Sequence, residues 1–410
     1  MSHDELFEDI IDAYETKKPL FIWGRTGIGK SYSVKRAGKI LAERYDRTYS
    51  ECVRDLDGEH FVVLDRRLAY RDPTDLIGVL YKDDGVSKWH YPNWLVKLSK
   101  QREEKEGIEI RAILFLEEVN LAPQLTQNAA YELVLDRKIE DLELADGVVV
   151  IAAGNVAEDR AYTFDLSDPL RTRFTHVTLK TPVFKEEGRK KGWFYWAAEN
   201  GIDGRILAFL SLKPEMLFYY VENDRTFPTP RGWEMASDLM RNKDNSIAWR
   251  AVAKACGYLA GLQFKQFMEL SMSVDVEEIL RDPKKWLELP PDKVELRFSV
   301  IASLTHMCKQ NPEKYAEGML KLAAHLFTGI YDDKTLGEYI KLTIACEGKN
   351  REDKLEIERK LRGMEGEREA EFSALILTSV KAVIGEDEFK KLTASSDYAI
   401  ALIRICKLLS

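Results

Sequence analysis

The chain has 410 residues, of which 45% are apolar and 32% are charged, and its formal net charge is −8. This length suits two or three domains rather than one, and the share of apolar residues excludes global disorder. Proteins that bind duplex DNA mainly through its phosphates usually carry a basic face. The acidic balance therefore makes nucleic-acid binding an unexpected function, although it is compatible with a local basic channel.

The five cysteines and six histidines are scattered, without a CxxC, HxxxH or HExxH motif. This spacing excludes a zinc finger, a zinc protease and a disulfide scaffold, and it favours a reducing compartment. Residues 1–18 are acidic and amphipathic, unlike a signal peptide. No window approaches the run of about 18 apolar residues that spans a bilayer. We therefore expect a cytoplasmic protein with no membrane span.

The first 180 residues alternate short apolar runs with longer helical patterns. Continuous apolar runs are typical of strands that are buried on both faces of a parallel sheet. Helical segments between such strands predict an α/β layer. The predicted strands are 20–23, 61–64, 112–116, 148–153 and 176–179.

The pattern changes at Pro182 and the charged stretch 185–191, and from there to the end the chain has helical spacing without a convincing strand. A turn-rich stretch at 282–292 separates two helical parts. We predict three domains, an α/β domain at 1–184 and helical domains at 185–292 and 293–410.

Residues 24–31 form a complete GxxxxGK[ST] motif between the first predicted strand and a helical pattern, which is the context that the motif requires. Its glycines let backbone N–H groups surround phosphates, and the following helix N-terminus adds positive potential. Lys30 would reach the β- and γ-phosphates, and the Ser31 hydroxyl would ligate Mg²⁺. The sequence predicts a nucleotide site formed by Gly24, Arg25, Thr26, Gly27, Ile28, Gly29, Lys30 and Ser31.

Two carboxylates, Glu117 and Glu118, follow the third apolar run directly. Successive side chains on a strand point in opposite directions, so the two can have different roles. We expect Glu117 to hold Mg²⁺ through water and Glu118 to polarise the attacking water.

The order of these motifs resembles that of AAA+ ATPases, since the P-loop and the acidic strand end are followed by VIAAGN at 150–155 and DPLRTRF at 168–174. Three further stretches resemble the MoxR-like branch, namely DLIG at 75–78, EVNLAP at 118–123 and FPTPR at 227–231. The resemblance covers about residues 1–290. It implies a P-loop AAA+ parallel five-stranded sheet with helices on both faces, an all-helical lid at 185–292 and a helical C-terminal extension.

The resemblance also implies roles for single residues. Asn155 matches the sensor-1 position, which orients the hydrolytic water. Arg171 and Arg173 lie where the family carries its arginine finger, which neutralises charge on the γ-phosphate of the neighbouring subunit. Of these two we prefer Arg173. Arg231 matches sensor 2 and would contact the nucleotide from the lid.

Glu117 departs from the family pattern, which usually has Asp at this position. The extra methylene moves the carboxylate about 1.5 Å further from the backbone. A contact to the metal through water can absorb this distance, so we expect hydrolysis to survive.

Two segments are expected to face a substrate. Residues 80–94 combine turn residues with Trp89, Tyr91 and Trp94, and they form either a loop at a ring's axial pore or a segment whose aromatic residues pack locally. Residues 137–147 occupy the place where MoxR-like proteins carry a small hairpin, and their alternating apolar residues favour one.

The resemblance implies Mg-dependent ATP hydrolysis in a homo-oligomeric ring of six subunits. MoxR-like proteins typically remodel a partner protein, commonly one with a von Willebrand factor A domain, or help insert a metal cofactor. Two alternatives stay open. One is a nucleic-acid-linked motor of a McrB-like restriction or defence system, and the other is a nucleotide-gated scaffold with negligible hydrolysis.

Overall fold

The computed structural model describes residues 1–156, 166–185, 192–221, 224–332, 336 and 367–395. The chain forms two compact units, Met1–Pro182 and Val183–Ser410, and each is described by itself. Among the described residues, no helix is long and apolar enough to cross a membrane.

The first unit is built on a six-stranded parallel sheet with the strand order β10-β1-β9-β6-β3-β2. Two antiparallel hairpins, β4–β5 and β7–β8, accompany it. The strands are β1 (Leu20–Trp23), β2 (Thr48–Ser50), β3 (His60–Arg67), β4 (Val79–Asp83), β5 (Val86–His90), β6 (Arg111–Glu117), β7 (Lys138–Ile139), β8 (Leu142–Glu143), β9 (Gly147–Gly154) and β10 (Thr175–Thr178).

The predicted fold class is confirmed, and all five predicted strands lie in this sheet. The predicted number of strands was one too low, because β2 adds a sixth at the edge. This strand has three residues, Thr48, Tyr49 and Ser50, and none of them is fully buried. Such a short polar segment lacks the apolar run by which the other strands are recognised.

Helices of the first unit cover both faces of the sheet. Val62 and Leu64 share one hydrophobic cluster with Leu133, whereas Tyr14 packs on Phe61 from the opposite face with ring centroids 5.1 Å apart. The helices are α1 (His3–Glu15), α2 (Lys30–Arg44), α3 (Pro73–Ile77), α4 (Asn93–Lys97), α5 (Lys100–Glu106), α6 (Gln124–Leu135) and α7 (Asp168–Arg171).

The second unit is helical throughout its described residues, as predicted. Its helices are α8 (Trp193–Glu199), α9 (Gly204–Leu212), α10 (Pro230–Met240), α11 (Asn245–Cys256), α12 (Tyr258–Leu270), α13 (Val276–Arg281), α14 (Val294–Gln310), α15 (Pro312–Thr328), α16 (Glu367–Ile384) and α17 (Glu386–Ser395). Helices on either side of residue 292 share one core, in which Phe209 and Phe264 cluster with Phe298. The division into domains at residue 292 stays a prediction.

The close approach of α2 to β3 gives the first testable prediction. A Cβ on Gly38 would collide with Val63 Cγ2, whereas a Cβ on Gly318 in α15 would make only ordinary contacts with Leu280, the nearest at 3.6 Å. We expect Gly38→Ala to destabilise the protein by about 1–3 kcal/mol through overpacking. Gly318→Ala, the matched control, should stabilise it by about 0.5–1 kcal/mol. Urea unfolding measures both, and equal effects of the two substitutions would contradict the prediction.

Candidate nucleotide site

The P-loop motif forms the turn between β1 and α2, at the carboxyl edge of the sheet. Gly27 and Gly29 have φ angles of 76° and 100°, in the left-handed region that glycine adopts without strain. Gly29 is the N-cap of α2 and supplies no side-chain cap. Backbone N–H groups in the first turn of this 15-residue helix are therefore available for an anion.

Lys30 lies across from Asn155, as the motif order predicts. Its Nζ atom donates hydrogen bonds to Gly24 O at 2.6 Å, Arg25 O at 3.0 Å and Asn155 Oδ1 at 2.9 Å. Asn155 is fixed in turn by Asn120, which donates from Nδ2 to Asn155 O at 2.7 Å and accepts from Asn155 N at 2.9 Å. The backbone of Asn155 is thus fixed by Asn120, and its side-chain oxygen accepts from the lysine.

Glu117 connects the P-loop helix to the neighbouring strand. The Ser31 hydroxyl donates a short hydrogen bond to Glu117 Oε1. Arg67 Nε donates to Glu117 Oε2 at 2.8 Å, because the parallel register of β3 and β6 places these two residues side by side. The pairing raises the pKa of Arg67. Sequence reasoning missed Arg67, although its place at the end of the strand next to the acidic motif was an available signal.

Glu118 stands in a different backbone environment from Glu117. Its φ of 58° lies in the left-handed region, which is uncommon for a residue other than glycine. It is half-buried, and its carboxylate has no hydrogen-bond partner among the described residues. The sharp turn therefore separates the two carboxylates, with Glu117 bound to Ser31 and Glu118 left available for a water molecule.

The donor set at Ser31 and Glu117 fits Mg²⁺. This ion prefers oxygen ligands and is usually held by one or two carboxylates together with substrate phosphates and water. One hydroxyl and one carboxylate in contact match that pattern. The described part of the chain has no cluster of three or more His, Cys, Asp or Glu side chains that could hold a metal by themselves.

The arginine segment is tied to the end of β1 through His176. Trp23 Nε1 donates to His176 Nδ1 at 3.0 Å, and His176 Nε2 lies 2.7 Å from Arg171 O. Since an indole N–H can only donate, Nδ1 is the acceptor and Nε2 carries the proton that bonds the carbonyl. Trp23 and His176 were not predicted as site residues. They lie 153 positions apart, and no sequence pattern shows that their two strands are neighbours in the sheet.

The two candidate finger residues differ in their contacts. Both side chains are exposed. Arg171 forms an ion pair with Asp168 at 2.5 Å, one turn earlier in α7. Within the described part of the chain, Arg173 makes a single long hydrogen bond of 3.4 Å to the Tyr131 hydroxyl.

The remaining predicted residues lie in two places. Ile28 is buried beneath the P-loop, while Arg25 is half-buried and Thr26 is exposed. Arg231 belongs to the second unit, where it is an exposed residue in the first turn of α10.

Both segments expected to face a substrate contain hairpins. Strands β7 and β8 form the hairpin predicted within 137–147. In 80–94 the aromatic residues Tyr91 and Trp94 pack against the core, which favours the second of the two interpretations left open for them. The exposed groups are instead on β4 and β5, where Leu80 and Val86 are 58% and 61% exposed.

His3 packs against the P-loop, and sequence reasoning did not predict this contact either. Its Nδ1 atom lies 2.9 Å from Ser33 Oγ in α2, and its ring is so close to Gly29 that a Cβ there would stand 3.0 Å from Cε1. Burial is the main cause that lowers the pKa of His3. The imidazole is therefore kept neutral where it touches the loop.

The sequence matches no protein-family model and no curated protein sequence. Similar solved structures include a candidate ATPase from Cytophaga hutchinsonii (19% identity, covering 43% of this chain and 44% of that one, TM-score 0.27). NtrX from Brucella abortus in complex with ADP is 17% identical, with 59% and 51% covered and a TM-score of 0.32. A mutant of RuvB from Thermotoga maritima is 14% identical, with 78% and 86% covered and a TM-score of 0.31. The chain spans about half or less of the first two, and likenesses this weak assign no function.

His3 gives a prediction about pH. Its pKa is lowered in the folded state, so as pH falls below about 6.5 the unfolded chain takes up the proton first. Stability that is present above this pH is then lost down to the folded pKa. We expect His3→Asn, which keeps a polar group near Nδ1 without titrating, to show a smaller loss of stability between pH 7 and pH 5. Urea unfolding across this pH range tests it, and parallel pH profiles of wild type and variant would contradict it.

Proposed function

We propose that this chain binds ATP with Mg²⁺ and hydrolyses it to ADP and phosphate, as an AAA+ ATPase. The observation that carries the proposal is the contact of Lys30 with Asn155 and of Ser31 with Glu117 at one edge of the sheet. These four side chains come from two separate strand ends and one helix start. A motif that matched by chance would have no reason to bring such polar groups together.

The P-loop supplies the binding part of the reaction. The backbone N–H groups of the loop and of the first turn of α2 surround the phosphates, and Lys30 exchanges its loop carbonyls for β- and γ-phosphate oxygens. Ser31 would hold Mg²⁺ directly and Glu117 would hold it through water. The ion supplies charge neutralisation on the phosphate oxygens in this type of reaction.

Glu118 and Asn155 supply the positioning part. The Glu118 carboxylate accepts a hydrogen bond from the attacking water and orients it in line with the bond to the γ-phosphorus. Asn155, fixed by its two hydrogen bonds to Asn120, orients the same water from the lysine side. Neither group has to be reorganised at the moment of reaction, which is the condition for effective electrostatic catalysis.

Phosphoryl transfer commonly also uses an arginine on the γ-phosphate. We propose that Arg173 supplies it to a neighbouring copy in a homo-oligomeric ring of six subunits, with Arg231 contacting the nucleotide from the helical lid at 185–292. Arg173 is preferred to Arg171 because its single long hydrogen bond to Tyr131 is easily given up, whereas Arg171 is held by Asp168.

We further propose that the ring acts in the cytoplasm as a MoxR-like chaperone that remodels a partner protein. The support for this finer statement is the resemblance at 75–78, 118–123 and 227–231. The partner expected from it carries a von Willebrand factor A domain.

Substitutions at Lys30 and Glu118 test the ATPase. Glu118→Gln keeps the shape of the side chain but cannot accept the water proton, so we expect hydrolysis to fall about 10²–10⁴-fold while ATP binding is retained. Lys30→Ala removes the phosphate contact and should weaken binding as well. Phosphate release and binding of a fluorescent ATP analogue measure the two effects. Equal slow hydrolysis by wild type and Glu118→Gln would favour the nucleotide-gated scaffold.

The stalled Glu118→Gln variant also tests the partner. In a pull-down with ATP it should retain a protein that wild type with ADP releases, and mass spectrometry identifies it. Recovery of nucleic acid or a nuclease instead would contradict the chaperone and favour the nucleic-acid-linked motor.

Mixed assemblies test the arginine. The Arg173→Ala variant keeps Glu118 in its own nucleotide site but has no arginine to supply to its neighbour. The Glu118→Gln variant keeps Arg173 for its neighbour but has an inactive nucleotide site. We expect each alone to be nearly inactive and their mixture to regain hydrolysis, because some interfaces combine the two intact halves. Arg171→Ala, the matched control, should lose much less activity. An active Arg173→Ala protein, or a mixture that stays inactive, would rule out this assignment.

A further inference from the structure

A cavity of about 500 Å³ lies in the first unit beside the base of the β4–β5 hairpin. It is bounded by the end of β3, by α3 and by the start of α4. No residue of the candidate nucleotide site lines it. Its lining includes Arg66, Arg71, Asp75, His90, Tyr91 and Trp94.

Arg66 is the most unusual group in this cavity. Its guanidinium stands over the Trp94 ring, 5.1 Å from the centroid, and Nη1 donates to the Asp65 carbonyl at 3.0 Å. The Nε donor is buried and has no hydrogen-bond partner among the residues that the structure describes. Buried donors are nearly always satisfied, so an orphaned one at a cavity wall points to an acceptor that comes from outside. Arginine stays charged, and the natural acceptor is an anion.

The charged side chains of the lining indicate how much negative charge that anion carries. Arg66 and Arg71 are the two cations, and Asp75 is the one carboxylate, which also caps α3 by accepting from Asp72 N at 3.2 Å. Counting these three side chains, the described lining carries one excess positive charge. This single excess charge matches that of one carboxylate rather than that of a polyanion.

The surroundings indicate what carries the carboxylate. The hairpin next to the cavity exposes aliphatic and aromatic side chains, with Val79 at 49%, Leu80 at 58%, Tyr81 at 44% and Val86 at 61%. A polypeptide that places an acidic side chain in the cavity could continue over these groups and bury them. A free carboxylic acid would leave them exposed.

We propose that this cavity binds the side-chain carboxylate of an Asp or Glu in a partner polypeptide, with Arg66 and Arg71 as the recognising cations. Apolar residues of the same segment cover the β4–β5 hairpin. The inference rests on the proposed function only in taking the ligand to be the remodelled partner, because the cavity and its charges stand without ATP hydrolysis.

A peptide screen tests the proposal without nucleotide. Wild type is immobilised and exposed to random nonapeptides displayed on phage, and the retained peptides are expected to be enriched in Asp or Glu beside apolar residues. A selected peptide, labelled with a fluorophore, is then measured by anisotropy. Its binding should weaken about tenfold when its acidic residue is replaced by the corresponding amide, and by a similar factor with Arg71→Gln.

Arg36→Gln is the matched control, since it removes one exposed positive charge from α2, outside both the cavity lining and the β4–β5 hairpin. It should leave the affinity within about twofold. Arg71 is itself exposed, and an unchanged circular dichroism melt verifies that its variant folds. Lys30→Ala should bind the peptide normally, so a loss of ATPase activity and a loss of this binding are separate results.

Three results would overturn the proposal. The first is that the retained peptides show no acidic enrichment, and the second is that Arg71→Gln binds the acidic peptide as well as Arg36→Gln does. The third is a competition result. Inorganic phosphate, succinate or oligothymidylate displaces the labelled peptide at concentrations at which peptides without an acidic residue do not.

Discussion

The ammonium group of Lys30 needs hydrogen-bond acceptors at the carboxyl edge of the sheet, and the strand order determines which groups can accept from it. Because β1 lies between β9 and β10, the end of β9 brings Asn155 directly across from the P-loop. Three donors of the ammonium then meet three acceptors, two loop carbonyls and one amide oxygen. The loop is held in shape by the same charge that would bind a phosphate, so binding exchanges partners within a formed site and does not have to order it.

Glu117 connects this site to the next strand, and the connection has an electrostatic consequence. One carboxylate oxygen accepts from Ser31 and the other from Arg67. A divalent cation at Ser31 would share the carboxylate with a guanidinium, and two cations near one anion repel each other. The longer side chain of glutamate eases this conflict, because it lets the carboxylate contact Arg67 across the sheet and still reach the P-loop helix.

Much of this arrangement could be predicted from the sequence, for physical reasons. Strands buried on both faces have continuous apolar runs, and parallel strands end at one edge, so Lys30, Glu117 and Asn155 were expected together. Arg67 was missed although its place at a strand end was a signal, whereas the contacts of His3 and His176 could not be predicted, because they depend on pairings that no local pattern encodes. The same limit applies to Tyr91 and Trp94, whose aromatic side chains gave no sign of whether they pack on the core or face solvent.

The end of β3 links the two sites of the first unit. Arg66 and Arg67 are consecutive strand residues, so their side chains leave the sheet in opposite directions, one lining the cavity and the other bonded to Glu117. The register with β6 fixes their common backbone, so a shift of the backbone at this strand end would move both side chains. If an acidic partner residue occupies the cavity as proposed, its ionic contact with Arg66 acts on the backbone that also positions Arg67 beside Glu117. Partner binding and nucleotide chemistry would then be coupled through one peptide unit, with no need for a longer path through the core.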